Sequence, residues 1–464
     1  MNISSPLAKY AAKNWITHAH HSGKYKSQSS SVFVLMMKLL TDENSPLLNW
    51  VRLCDIDSYD SMNLQKQRVM IAKPLYYASL AGLTEASDAL LETGADVNAQ
   101  GGKHRNALHA ALYNKDEAMA KLLIEKGADV NAQGEHENAL YVASCTGQEA
   151  IAKLLIEKGA DLNAQGGEHG TALHAALHKS YEAIAKLLIE KGADVNAQGA
   201  EHESALHAAL YTGHEAIAKL LIEKEADVNA QGGCYGNALY AASYIGHEMI
   251  AQLLIEKGAG INAQGGCYGN ALYAASYTGY EAIVKLLIEK GADVNAQGGE
   301  HGNALHAALY TGHEAIANLL IKKGADINAQ VGEHGTALHA ALYEGNEAIA
   351  KLLIEKGADV NTQGGYFGNA LIAASYTGHE TIAKLLIEKE ADVNAQGRCC
   401  GNALYAALYT GHEEIAKLLI EKGADVNAQG GEHGTALHSA LYEGNEAIAK
   451  LLLQKGALQS PSDS

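Results

Sequence analysis

TALHAALHKSYEAIAKLLIEKGADVNA, residues 171–197, divides into two short helices and an extended crossing. Thr171 is placed as an N-cap for a helix of Ala, Leu and His running to His178. Lys179 and Ser180 form a turn, and Glu182 to Lys191 make a second helix. There Ile184, Leu187 and Leu188 recur at i, i+3 and i+4, which gives one apolar face. Glu182 and Lys186 form an i, i+4 pair on that helix. Gly192 is placed for a left-handed stop, and Asp194 to Ala200 cross as an extended turn. A pair of helices this small cannot bury its apolar face alone, so neighbouring copies must supply the core.

Those copies are present. Ala-Leu recurs at Ala107, Ala139, Ala172, Ala205, Ala238, Ala271, Ala304, Ala337, Ala370, Ala403 and Ala436, at a spacing of 33 except for a first step of 32. Pro74-Leu75 extends the series backwards, making twelve repeats over about 73–458. The stretch at 171–197 resembles the ankyrin repeat, whose pattern includes T-P-L-H-x-A-A and ends in G-A-D-V-N-A. The resemblance covers about five-sixths of the chain. It implies an all-α solenoid of about twelve helix–turn–helix repeats with projecting β-turn fingers and an L-shaped cross-section.

The chain departs from that pattern in three ways. Proline survives only at Pro74, with Ala in the other eleven repeats, so those helices lose a pre-set first turn. The finger turn is mostly Gly-Gly rather than Asp-Gly. Glu225 and Glu390 replace the stop glycine and are expected to be soft joints, because a left-handed non-glycine costs roughly 1 kcal/mol.

Composition fits this reading. Hydrophobic residues are 47% of the 464, yet only two Phe and two Trp occur, so the core must be Ala, Leu and Ile. Net charge is -18, with residues 1–72 carrying +3 and the rest about -21. Such acidity disfavours nucleic acid and anionic membranes and suits a protein partner with a basic surface. The start shows no secretory signal, and its longest apolar run, Val32 to Met37, is too short to span a bilayer. Cys234 and Cys267 sit one period apart, roughly the 8–10 Å helix-packing distance and beyond disulfide reach, so free thiols in a reducing cytosol are expected. The cytoplasm is the expected compartment, with the nucleus left open.

Two kinds of first helix occur. One pairs His with Leu three residues on, as in His207/Leu210, and the other pairs Tyr or Ile with Ser, as in Tyr240/Ser243. Only Tyr405/Leu408 mixes them. Positions i and i+3 share a face, so the exchange reads either as volume compensation or as duplication of two cassettes.

Four residues after the His or Tyr comes a second aromatic row: Tyr113, Tyr211, Tyr244, Tyr277, Tyr310, Tyr343, Tyr376, Tyr409 and Tyr442. The resemblance places this row on the concave groove. The residue after each varies, as do the finger tips, which bring Tyr235, Tyr268, Tyr366 and Phe367. Tyrosine offers large contact area at little entropic loss, so these thirteen residues are the expected partner-binding set, the alternative being packing on neighbouring repeats.

Catalysis is not expected. No phosphate loop, H-E-x-x-H or G-x-S-x-G motif occurs, and every candidate nucleophile recurs with the repeat. No cofactor or small-molecule substrate is implied. Twenty-two histidines raise a metal-binding alternative, for example Glu168, His169 and His174. Equivalent residues one repeat apart sit roughly 8–10 Å from each other, whereas zinc ligands lie about 2.0–2.1 Å from the ion, so no metal site is expected. The helix-start His is read instead as bonding backbone near the turn.

Residues 1–72 are not ankyrin-like and read as amphipathic helices joined by a Ser-rich stretch, a partly mobile linker in which 33–53 would cap the first repeat. They resemble, more weakly, the segment between a NACHT-type module and ankyrin repeats in fungal NOD-like proteins. That resemblance implies a recognition arm, without the module's own phosphate loop. The other interaction reading is a substrate adaptor of a larger enzyme complex. The last repeat is as apolar as interior ones and is followed by a tail at 459–464 expected to be disordered, so fraying or a covering partner is expected there.

Overall fold

Ala-Leu-rich stretches of seven to nine residues are long enough for two helical turns and become stable only when neighbours cover them. The computed structural model describes Met37 and residues 72–458, apart from 135–136, 200–202, 234–235, 266–268, 300–301, 332–334, 398–400 and 431–433. Met37 and Ala72 apart, the expected cap at 33–53, the rest of the linker and the tail lie outside the described residues. From 74 onward the chain is a run of helix pairs, from Pro74–Leu80 with Thr84–Glu92 to Ala436–Tyr442 with Glu446–Gln454. Twelve such pairs are described, so the chain is an all-α repeat solenoid. Its contacts divide it into two compact units, one ending at Asp227 and one beginning at Val228.

Within each unit, first helices pack on first helices and second helices on second. The core is small. In one repeat Ala107, Leu108, Ala110, Ala111 and Leu112 are buried against Met119, Ala120, Leu123 and Ile124 of the second helix. In the repeat at 171–197 the buried face is Ile184, Ala185, Leu188 and Ile189, while Leu187 sits half-buried at its edge.

The missing prolines are answered by side-chain caps. Asn106 Oδ1 accepts from His109 N at 2.9 Å, and Asn237 Oδ1 from Tyr240 N at 2.8 Å. Thr171 caps its helix as expected. These caps satisfy donors that the first turn leaves open.

The fingers are short antiparallel hairpins. Gln264–Gly265 pairs with Gly269–Asn270, and Gln429–Gly430 with Gly434–Thr435. At Tyr76 and Tyr141 the finger closes over the ring at the third position of the preceding first helix. His104 N donates to the Tyr76 hydroxyl at 3.2 Å, and His169 N to that of Tyr141 at 3.1 Å. At His109 the link reverses: Nε2 meets Glu137 O at 3.1 Å, while Nδ1 meets the Asn106 cap at 2.8 Å. The histidine thus bonds the cap side chain as well as backbone. This contact explains the Gly-Gly turn: at Gly102, with φ +76°, a Cβ would lie 2.2 Å from the Tyr76 ring.

A second link joins the crossings. Asn262 Oδ1 accepts from Asp293 N at 2.8 Å, and its Nδ2 donates to Gly291 O at 3.4 Å. The same amide clamp recurs at Asn295, Asn361 and Asn394. Glu182 does not pair with Lys186. Its carboxylate lies at the helix start and reaches His214 of the next repeat at 2.7 Å, leaving Lys186 3.9 Å from Glu190. Glu225 and Glu390 take left-handed φ of 64° and 65°, and Lys115 and Ser180 do the same at 56° and 61°.

Candidate functional site

In the repeats between the first and the last, the first helix buries its first six residues, and the seventh emerges on the last turn. The row of tyrosines occupies this seventh position, and the structure splits it in two. Tyr113, Tyr211, Tyr310, Tyr343, Tyr409 and Tyr442 are exposed. Tyr244, Tyr277 and Tyr376 are half-buried. The exposed rings all follow Leu, and the half-buried ones all follow Ser. Helix endings differ accordingly. After Ser the helix closes with an α-type bond, Gly246 N to Ala242 O at 3.0 Å. After Leu it tightens, with Gly213 N bonding Leu210 O at 3.0 Å. The residue before each tyrosine was therefore the signal that separates the two groups.

Unit 1 carries a mixed row. The seventh position holds Tyr113, Cys145, His178 and Tyr211 in successive repeats. Tyr113 stacks on His104 with centroids 4.4 Å apart, and its hydroxyl donates to the Glu137 carboxylate. Burial, then that bond and the nearby charge, push the phenol well above its ordinary range. His178 stacks on His169 at 4.7 Å and pairs with Glu203 at 2.9 Å. Cys145, a free thiol, is half-buried, and burial raises its pKa. The other cysteines lie outside the described residues.

In unit 2 the finger at 364–368 is aromatic. Tyr343 and Tyr366 meet edge to face, with centroids 6.3 Å apart and planes at 66°. They are 55% and 64% exposed. Phe367 differs from its expected role: it is 6% exposed. Its ring packs 5.1 Å from Tyr366 and 5.0 Å from Tyr376 and anchors the finger from below. It has no accessible face for a partner, because a fully apolar ring gains most by burial. Tyr235 and Tyr268 lie outside the described residues.

The first-helix histidines are structural. His109, His174 and His339 are buried, and burial pushes each imidazole down to about 4. A neutral ring there serves as a hydrogen-bonding strut. Among the described residues no three His, Cys, Asp or Glu side chains converge as a metal site, and no helix is long and apolar enough to cross a membrane.

Comparison with known proteins agrees with this geometry. The family profile described as Ankyrin repeats (3 copies) matches in overlapping segments that run from residue 43 to residue 463. A protein of Monascus ruber described as azaphilone pigments biosynthesis cluster protein L is 32% identical over 136 residues. That alignment covers 27% of this chain and 28% of that protein's length.

Proposed function

Because the chain belongs to the ankyrin-repeat family, we propose that it is a non-catalytic scaffold that takes a partner protein on its first-helix face. The observation that carries this reading is the set of six tyrosines held exposed at one register of the repeat: Tyr113, Tyr211, Tyr310, Tyr343, Tyr409 and Tyr442. Exposed aromatic rings on rigid helices supply contact area without much ordering loss. The net charge of -18 favours a partner whose contacting surface is basic and argues against nucleic acid. The cytoplasm is the proposed compartment.

The test strips the row without touching the core. A full chain carrying Tyr211→Ser, Tyr310→Ser, Tyr409→Ser and Tyr442→Ser should keep its helicity and lose the proteins that co-purify with the unaltered chain. Full retention of those proteins would remove the tyrosines from the binding surface.

In its finer form the proposal makes this chain the recognition arm of a NACHT-type receptor. Its support is the sequence likeness at 1–72, which apart from Met37 and Ala72 falls outside the described residues. A substrate adaptor is the competing interaction role. Pull-down with and without the 1–72 segment separates them, because adaptor docking needs a distinct end segment.

A further inference from the structure

Charge in unit 2 is sorted by helix. All thirteen lysines between 228 and 458 lie on second helices or on the residue that caps them, such as Lys351 and Lys356. The first helices and the turns that follow them carry no Lys or Arg. The unit's arginine, Arg398, is in a finger outside the described residues. What the first-helix face does carry is tyrosine and, at two places, an exposed glutamate directly after an exposed tyrosine: Tyr343-Glu344 and Tyr442-Glu443. Plain solubility would scatter charges of both signs over both faces; here one face is left with aromatic rings and carboxylates.

At Tyr343 a second aromatic wall is added. Tyr366 stands on the next finger at 66° to Tyr343, and Phe367 beneath fixes both rings. Two exposed faces at this angle, with an anionic side chain one residue along, form a corner with a negative quadrupole on each wall. The geometry points to a recognition corner for an arginine side chain of a basic, extended segment of the partner protein, with the guanidinium stacked on Tyr343 or Tyr366 and Glu344 as its counter-charge. This rests on the scaffold reading above and names the chemistry of the partner. Arginine fits better than lysine, since a planar guanidinium stacks on a ring and still offers its edge donors to a carboxylate.

The test uses the full chain and a synthetic twelve-residue Gly-Ser peptide bearing three arginines, read by calorimetry or fluorescence anisotropy. The same peptide with citrulline in place of arginine keeps the shape and removes the charge. The arginine peptide should bind, and the citrulline peptide should bind on the order of tenfold more weakly. Tyr343→Ser with Tyr366→Ser should weaken the arginine peptide by a similar factor, while Tyr343→Phe with Tyr366→Phe should retain it. Glu344→Gln, an exposed change that leaves packing untouched, should weaken it severalfold and flatten its salt dependence. Glu388→Gln, an exposed carboxylate on a second helix and away from the corner, should have no effect. Equal binding of the citrulline peptide, or unchanged binding by both the serine pair and Glu344→Gln, would overturn the corner. If that happens while the row-stripped chain still loses its co-purifying proteins, the scaffold stands and only the arginine chemistry falls.

Discussion

Glu225 sits where ten of its counterparts are glycine, and its backbone is left-handed at φ 64°. Glu390 does the same at φ 65°. An L-residue there crowds its Cβ against the following carbonyl. Glu225→Gly with Glu390→Gly should therefore raise the denaturation midpoint, by up to about 1 kcal/mol per site; a lower midpoint would mean the glutamates hold the turn better than glycine does. The buried histidines set a second behaviour. His109, His174 and His339 are held near 4, below their ordinary value of 6.5. The unfolded chain takes up protons in that interval while the folded chain resists. Stability is then fully present above about 6.5 and falls as pH drops toward 4, by roughly 3 kcal/mol for each ring fully titrated. Melting curves between pH 7 and pH 4 should show this fall, and a flat series would contradict the burial.

The two kinds of first helix differ as elements and not only as residues. Tyr240 and Ser243 are both buried, and Ser243 Oγ donates to Leu239 O at 2.7 Å. In the other kind, His207 and Leu210 occupy the same space. If volume is shared, Ser243→Leu alone should destabilise, and adding Tyr240→His should recover part of the loss. Strictly additive losses would show that the positions do not compensate. The asparagine clamp is a further element-level device. Asn295 accepts from Asp326 N at 2.7 Å and donates to Gly324 O at 3.3 Å, joining consecutive crossings. Asn295→Ala should cost about 1–2 kcal/mol and speed hydrogen exchange at Asp326; unchanged exchange would show the clamp is idle. "D-V-N-A" was visible as part of the repeat, but nothing in it says that its asparagine reaches the next repeat.

At the largest scale, each repeat is stable only through its neighbours, so stability should decline where a neighbour is missing among the described residues. Leu441 is 43% exposed, whereas Leu408 at the same register is 3%. Amide exchange in 436–458 should be faster than in 238–260, and equal protection would mean that something covers the last repeat.

The period of 33 was legible as direct recurrence along the chain, and the helix pairs, the apolar stripes and the left-handed glutamates because each depends on residues within one or two helical turns. The exposed and half-buried tyrosines were not told apart, although the preceding Leu or Ser carried the signal. The burial of Phe367, the bond from Glu182 to His214 and the ring-to-finger links were hidden for a different cause. The last two join residues about one repeat apart, as with Tyr76 and His104, 28 residues apart, and Phe367 is covered only when its finger folds onto Tyr376 and the preceding repeat's Tyr343. Local propensity acts over a few residues. Contacts between repeats exist only once the helices have stacked, and it is stacking that chooses which rings are covered and which meet solvent.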